Sequence, residues 1–132
     1  MTDRILTAVY IEDDPEMIGL VSVILSPHGY AVEGAPAGQA GLDLVHSEKP
    51  DLLLLDLMIP DIDGWDVYHQ IRAGLETKDL PVIVITARSQ PVDRVLGMNI
   101  AGVDAYICKP FLPQELVEAV TNVMAARAAS SS

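Results

Sequence analysis

One cysteine is all the chain has, so Cys108 cannot close an internal disulfide. No second Cys or His stands at metal-ligand spacing from it, and its simplest role is that of a small strand residue. The three histidines, His28, His46 and His69, show no paired ligand spacing and read as surface or helix residues. Positive charge is scarce: eight Lys and Arg stand against nineteen Asp and Glu, a formal net charge of −11. No Lys/Arg stripe could track a phosphate backbone, which argues against direct nucleic-acid binding. Long apolar runs are missing too. None approaches the roughly 18 to 20 residues of a membrane span, and MTDRILTAVY has no basic region ahead of an apolar stretch. A cytoplasmic protein with no membrane partner is expected. At 132 residues there is room for one core and no second folded unit.

What the chain does have is alternation. Apolar strand-like runs recur as ILTAVYI (5–11), YAVEGA (30–35), DLLLLD (51–56), PVIVIT (81–86) and DAYICK (104–109). Segments of helical period lie between them. Asp14 and Pro15 make an N-cap and first-turn pair, followed by Met17, Leu20, Val21, Ile24 and Leu25 on one face up to Pro27 and Gly29. A second helix is expected from about Ala37 to Ser47, weakened by glycine, with Ala40, Leu44 and Val45 on one side. Residues 65–75 offer Val67, Tyr68, Ile71 and Leu75. Pro91 opens a fourth helix with Val92, Val95 and Leu96. Pro113 opens a fifth, with Leu116, Val120, Val123 and Met124 spaced to face a core. Strict β/α alternation with near-continuous apolar strands implies a parallel sheet covered on both faces, a doubly wound α/β domain. The flavodoxin-like strand order 2-1-3-4-5 enters as an analogy, because periodicity does not determine strand order.

Any doubly wound arrangement brings the C-terminal ends of its strands to one edge, where ligand and reaction sites gather. There the chain places Glu12, Asp13 and Asp14, then Asp56, Thr86 and Lys109. Asp56 stands out, because a run of four leucines ends abruptly in its carboxylate and a Pro/Asp/Gly loop follows; a loop or capping aspartate is the competing reading. Carboxylates crowded at one edge repel one another, and a hard divalent cation with oxygen ligands, Mg²⁺, relieves them. Such a metal leaves positions open for a phosphate oxygen, lysine adds a second positive charge, and threonine can donate to a phosphoryl oxygen. A carboxylate can itself be the nucleophile and form an acyl phosphate. Asp61 and Asp63, between Pro60 and Gly64, read instead as turn formers.

VYIEDDP (9–15), LLLDLMIPDIDGW (53–65), VIVITA (82–87) and DAYICKPF (104–111), in this order and at these element ends, resemble the receiver domain of two-component response regulators. The resemblance runs from about residue 4 to 127, so a receiver domain over 1–127 and a short polar tail over 128–132 are expected. It implies that Asp56 accepts a phosphoryl group from a histidine kinase or phosphotransfer protein. It further implies that Asp13, Asp56 and the Met58 backbone carbonyl bind Mg²⁺, with Glu12 acting through metal-bound water. Thr86, followed by Ala87, would contact the phosphoryl oxygens, and Lys109 would pair with them across a cis Lys109–Pro110 bond. Tyr106 matches the switch aromatic of the family, whose ring turns inward as Thr86 moves, remodelling the face made by helix 4, strand 5 and helix 5.

Glu12 stands where the family more often has aspartate, one methylene shorter. Met58 and Arg88, two positions beyond Asp56 and Thr86, sit where the resemblance implies control of water access to the acyl phosphate. Two rivals come from other classes. A phosphatase of the haloacid-dehalogenase type also uses an aspartate nucleophile, Mg²⁺, threonine and lysine, but it needs a second acid at the position held here by Met58. A degenerate receiver serving only as an interaction module would be expected to lack Asp56, Thr86 or Lys109, and all are present. After the fifth helix the chain runs AARAASSS, without a winged helix or enzymatic domain. The output is therefore expected to be a downstream protein partner, or an output domain missing from this stretch of chain, with homodimerisation on phosphorylation as a further route.

Overall fold

The computed structural model describes residues 4–130. Five strands, β1 (Leu6–Ile11), β2 (Tyr30–Ala35), β3 (Leu52–Leu55), β4 (Val82–Thr86) and β5 (Ala105–Cys108), alternate with five helices. These are α1 (Pro15–Leu25), α2 (Gly38–Glu48), α3 (Gly64–Ala73), α4 (Pro91–Val95, continued by a π-helical turn over Leu96–Ala101) and α5 (Pro113–Ser130). The sheet is parallel throughout, in the order β2-β1-β3-β4-β5. That is the flavodoxin-like order.

Successive strand residues serve opposite layers, which is why the central strands show no polar alternation. Val9, Leu53, Leu55, Val82 and Val84 pack beneath Leu42 and Val45 of α2 and Val67, Tyr68 and Ile71 of α3. Ala8, Tyr10, Leu52, Leu54, Ile83 and Ile85 pack against Val21 and Leu25 of α1 and Leu116, Val120 and Val123 of α5. All four leucines of β3 are fully buried, each contributing about 2 kcal/mol. β3 is thereby a rigid post under Asp56.

Helix ends follow local chemistry. Asp14 caps α1 by accepting from the Glu16 amide at 3.0 Å, and Pro15 fills the first turn, where no amide is needed. Beyond Leu25 a single 3₁₀ turn, Ser26–His28, closes on Gly29 at φ +90°, a conformation that only glycine adopts freely. α2 has Ala37 at its N-cap and no capping side chain of its own. Asp61 supplies the cap from across the fold, accepting from the amides of Gly38 at 2.7 Å and Gln39 at 3.0 Å.

Several expected helix faces differ from those observed. Leu20 in α1 is exposed, and the helix buries Val21 and Leu25. In α2 the buried side is Gly38, Gly41, Leu42 and Val45, and Ala40 faces solvent. The reason is close approach: a Cβ on Gly41 would collide with the Ile11 side chain, so the glycines that weaken the helix also let it lie down on β1. α3 ends at Ala73 and leaves Leu75 88 % exposed. Val92, Val95 and Leu96 of α4 are exposed at 45–56 % and form no core face. α5 continues as helix through Ser130, past the boundary at 127 where a polar tail was expected, because its alanines are strong helix formers. Among the described residues no helix is long and apolar enough to cross a membrane.

Candidate functional site

Backbone hydrogen bonds extend the sheet's ladder into the site. The Glu12 amide donates to Ala35, the Asp56 amide to Ile11 at 3.0 Å, and the Lys109 amide to Thr86 at 2.8 Å. Glu12, Asp56, Thr86 and Lys109 are thus held at the C-terminal edge with strand precision. Behind Asp56 the loop folds back so tightly that a Cβ on Gly64 would overlap the Leu57 backbone, which only glycine avoids. Asp63 then caps α3 through the Trp65 amide at 2.8 Å. Asp61 and Asp63 both serve helix termini and take no part in the site.

Carboxylate oxygens of Glu12, Asp13 and Asp56 lie within 4.8 Å of one another. Glu12 and Asp56 are buried, at 1 % and 4 % exposure, whereas Asp13 faces solvent. Lys109 reaches between them, its Nζ donating to Glu12 Oε1 and, at 2.9 Å, to Asp56 Oδ2. The Met58 amide donates to Asp56 Oδ1 at 2.9 Å, and the Asp14 amide to Glu12 Oε2 at 3.2 Å. Burial pushes the Glu12 carboxyl upward and its hydrogen bond from Lys109 opposes the shift only in part. Burial alone would depress Lys109, but its bonds to Glu12 and Asp56 outweigh that and raise it. The donor set is all oxygen and anionic, which suits a hard cation such as Mg²⁺ rather than a thiophilic metal. Lys109 is the counter-charge that the acidic pocket carries by itself.

Thr86 is fully buried at the end of β4, and its Oγ1 accepts from the Arg88 amide at 3.4 Å. Ala87 follows, exposed. The Lys109–Pro110 peptide is cis. Tyr106 is buried, with its hydroxyl on the Arg88 carbonyl at 2.8 Å, its ring against Gly97, and the Arg94 guanidinium 5.6 Å from the ring centre. Burial, with Asp93 nearby, pushes the Tyr106 phenol up to about 12.

Three participants escaped the sequence reading. Tyr10 is fully buried in β1 and donates its hydroxyl to Glu12 Oε1 at 3.1 Å. A period of two along the strand puts residues 10 and 12 on one side, a signal that could have found it. Arg94 and Gly97 frame the Tyr106 ring, and no local pattern marks them because their partner comes from β5.

Residues 8–121 match the family model of the response regulator receiver domain. The chain belongs to that family. It is 40 % identical over 114 residues to the DNA-binding dual master transcriptional regulator RpaA of Synechocystis sp., covering 86 % of this chain and 47 % of the relative. It is 38 % identical over 123 residues to the transcriptional regulatory protein BaeR of Escherichia coli, covering 93 % and 48 %. The chain therefore spans about half the length of these curated relatives. Among solved structures, the BeF₃-activated N-terminal receiver domain of Klebsiella pneumoniae RstA superposes with a TM-score of 0.78 at 30 % identity, covering 87 % of this chain and 95 % of that one. A CheY-like receiver domain protein from Methanospirillum hungatei gives 0.85 at 26 %, covering 96 % and 98 %. The receiver domain is a signalling module, and its acidic pocket here is Glu12, Asp13 and Asp56.

Proposed function

We propose that this receiver domain accepts a phosphoryl group on Asp56 from a histidine kinase or phosphotransfer protein and passes the signal on by protein contact. One observation carries the reading: a buried aspartate at a strand end shares its carboxylate with a lysine inside a three-carboxylate pocket. An Asp56 oxygen attacks the phosphorus of the donor's phosphohistidine, a P–O bond forms, the P–N bond breaks, and the imidazole leaves with a proton from water. Asp13, Asp56 and the Met58 carbonyl would hold Mg²⁺, with Glu12 reaching it through water. The metal supplies charge neutralisation on the transferring phosphoryl oxygens. Lys109 turns from Glu12 toward the new phosphoryl group, and the Thr86 hydroxyl, which accepts from the Arg88 amide at 3.4 Å, donates to it.

The new charge biases a two-state surface. α4, β5 and α5 are the natural readout, because Tyr106 joins β5 to the loop after Thr86 while Val92, Val95, Leu96 and Ile100 stay exposed beside it. A downstream protein, an attached output domain or a second copy of the chain could dock there. The test is intact mass after incubation with a small phosphodonor and Mg²⁺, beside a chelator control and Asp56→Asn. One added phosphoryl group that needs both Mg²⁺ and Asp56 is expected. No adduct, together with no Mg²⁺-dependent uptake of beryllofluoride, would sink the reading.

A further inference from the structure

Tyr10 uses its hydroxyl differently from the other buried tyrosines. It points into the layer shared with α1 and α5, among Ala8, Leu54 and Ile85, where the neighbouring strand residues are aliphatic and carry no polar end. Tyr68 and Tyr106 give their hydroxyl protons to backbone carbonyls, of Ala101 and Arg88. Tyr10 gives its proton to a carboxylate of the acidic pocket.

We infer that Tyr10 is a positioning residue of the phosphoacceptor site, whose hydroxyl holds Glu12 in place when Lys109 is drawn away. The inference rests on the function proposed above. Glu12 Oε1 has two donors, Lys109 Nζ and Tyr10 Oη, while Oε2 takes the Asp14 amide. One donor is at the tip of a flexible four-carbon stem; the other ends a rigid ring fixed in the core of the sheet. When the lysine pairs with a phosphoryl oxygen on Asp56, Oε1 would be a buried carboxylate oxygen stripped of a partner, and leaving such a group bare is costly. The phenol stays. Glu12 keeps its orientation toward Asp13 and Asp56 in both states, and the lysine can leave at a lower cost. The longer side chain of glutamate is what brings the carboxylate within reach of the Tyr10 hydroxyl.

The experiment measures beryllofluoride affinity at saturating Mg²⁺ by calorimetry for the unmodified chain, Tyr10→Phe, Glu12→Asp and the double variant. Tyr10→Phe keeps the ring and is expected to weaken binding about ten-fold, the effect of one hydrogen bond to a charged group. In the Glu12→Asp background, where the shorter side chain withdraws from the phenol, the same change is expected to have no effect. A merely structural role for Tyr10 would weaken binding equally in both backgrounds and overturn the inference, as would unchanged affinity in the single variant. If the unmodified chain takes up no beryllofluoride, the proposed function itself falls and this inference with it. Should Tyr10→Phe fail to fold, the phenolic proton of Tyr10 in the unmodified chain decides. It is expected to shift in the NMR spectrum on adding beryllofluoride, and a resonance that stays put overturns the role.

Discussion

The Tyr106 hydroxyl donates to the carbonyl of Arg88 at 2.8 Å, which ties β5 to the loop leaving Thr86. The bond is possible because Gly97 leaves room for the ring. A Cβ at position 97 would lie 2.6 Å from Cδ2 and 3.0 Å from Cε2 of Tyr106, and 3.4 Å from the Trp65 ring.

Gly97→Ala should therefore expel the ring. Two effects oppose each other: alanine gains about 1 kcal/mol of helix propensity over glycine, and overpacking costs about 1–3 kcal/mol. The colliding atoms belong to an anchored ring rather than a flexible tip, so overpacking should win. The expected result is a lower urea midpoint, with the Tyr106 ring resonances moving to solvent-exposed values. A more stable variant with unmoved resonances would contradict the assignment of Gly97 as the socket.

Lys109→Met separates the lysine's structural part from its part in signalling. Without metal, Glu12 and Asp56 lose the cation between them, and breaking a buried pair of this kind costs about 3–5 kcal/mol where the carboxylates cannot take up protons. Here Glu12, whose carboxyl burial already raises, can take up a proton, which caps the loss near the low end. The same substitution removes the competitor for the pocket, so Mg²⁺ should bind more tightly than to the unmodified chain. Calorimetry at neutral pH checks this; weaker Mg²⁺ binding would mean that Lys109 organises the carboxylates rather than competing for them.

The pH dependence follows from Glu12. Burial raises its carboxyl above the ordinary 4.5, and Lys109 offsets only part of the shift. Between that value and the higher folded one, the folded chain keeps a proton that the unfolded chain has lost, so stability falls as pH rises through the window. Asp61 acts with the opposite sign. Amide bonds from Gln39 and Gly38 hold it below 3.8, so its stabilisation is present above that value and disappears in stronger acid. Melting temperature in chelator should decline as pH rises above 4.5 and flatten in Glu12→Gln. Saturating Mg²⁺, which binds the ionised folded pocket, should also flatten it.

Much of this was legible in the residues, for physical reasons that also explain the misses. β3 announces itself because burial on both faces demands four leucines in a row, and the abrupt carboxylate after them marks the edge. Val92, Val95 and Leu96 have a helix's spacing, but spacing says nothing about whether a neighbour covers the face, and none of the three is buried. Tyr10 was hidden by its own chemistry, counted among apolar strand residues although its far end is a donor. Local sequence makes Asp61 a turn former, whereas its bonds to Gly38 and Gln39 cross 23 and 22 positions, beyond any local motif.

Asp104 joins three elements at the sheet edge opposite the site. Its Oδ2 accepts from the Val82 amide at 2.8 Å and from Arg72 at 3.2 Å, and Arg127 of α5 contacts both oxygens at 3.0 and 3.1 Å. Each arginine also reaches a carbonyl, Arg72 that of Leu80 and Arg127 that of Asp79, both at 2.6 Å. An isolated exposed pair contributes at most about 1 kcal/mol, but removing the shared acceptor leaves an amide and two half-buried guanidinium groups to find water. Asp104→Ala is therefore expected to cost about 2 kcal/mol in urea unfolding, and Arg127→Ala under about 1 kcal/mol because Arg72 still holds the carboxylate. Since Asp104 touches nothing in the acidic pocket, phosphodonor labelling of Asp56 should keep its rate in both variants. A slower rate in Asp104→Ala at a temperature where the variant is fully folded would show that the two edges of the sheet are coupled through β4 and β5.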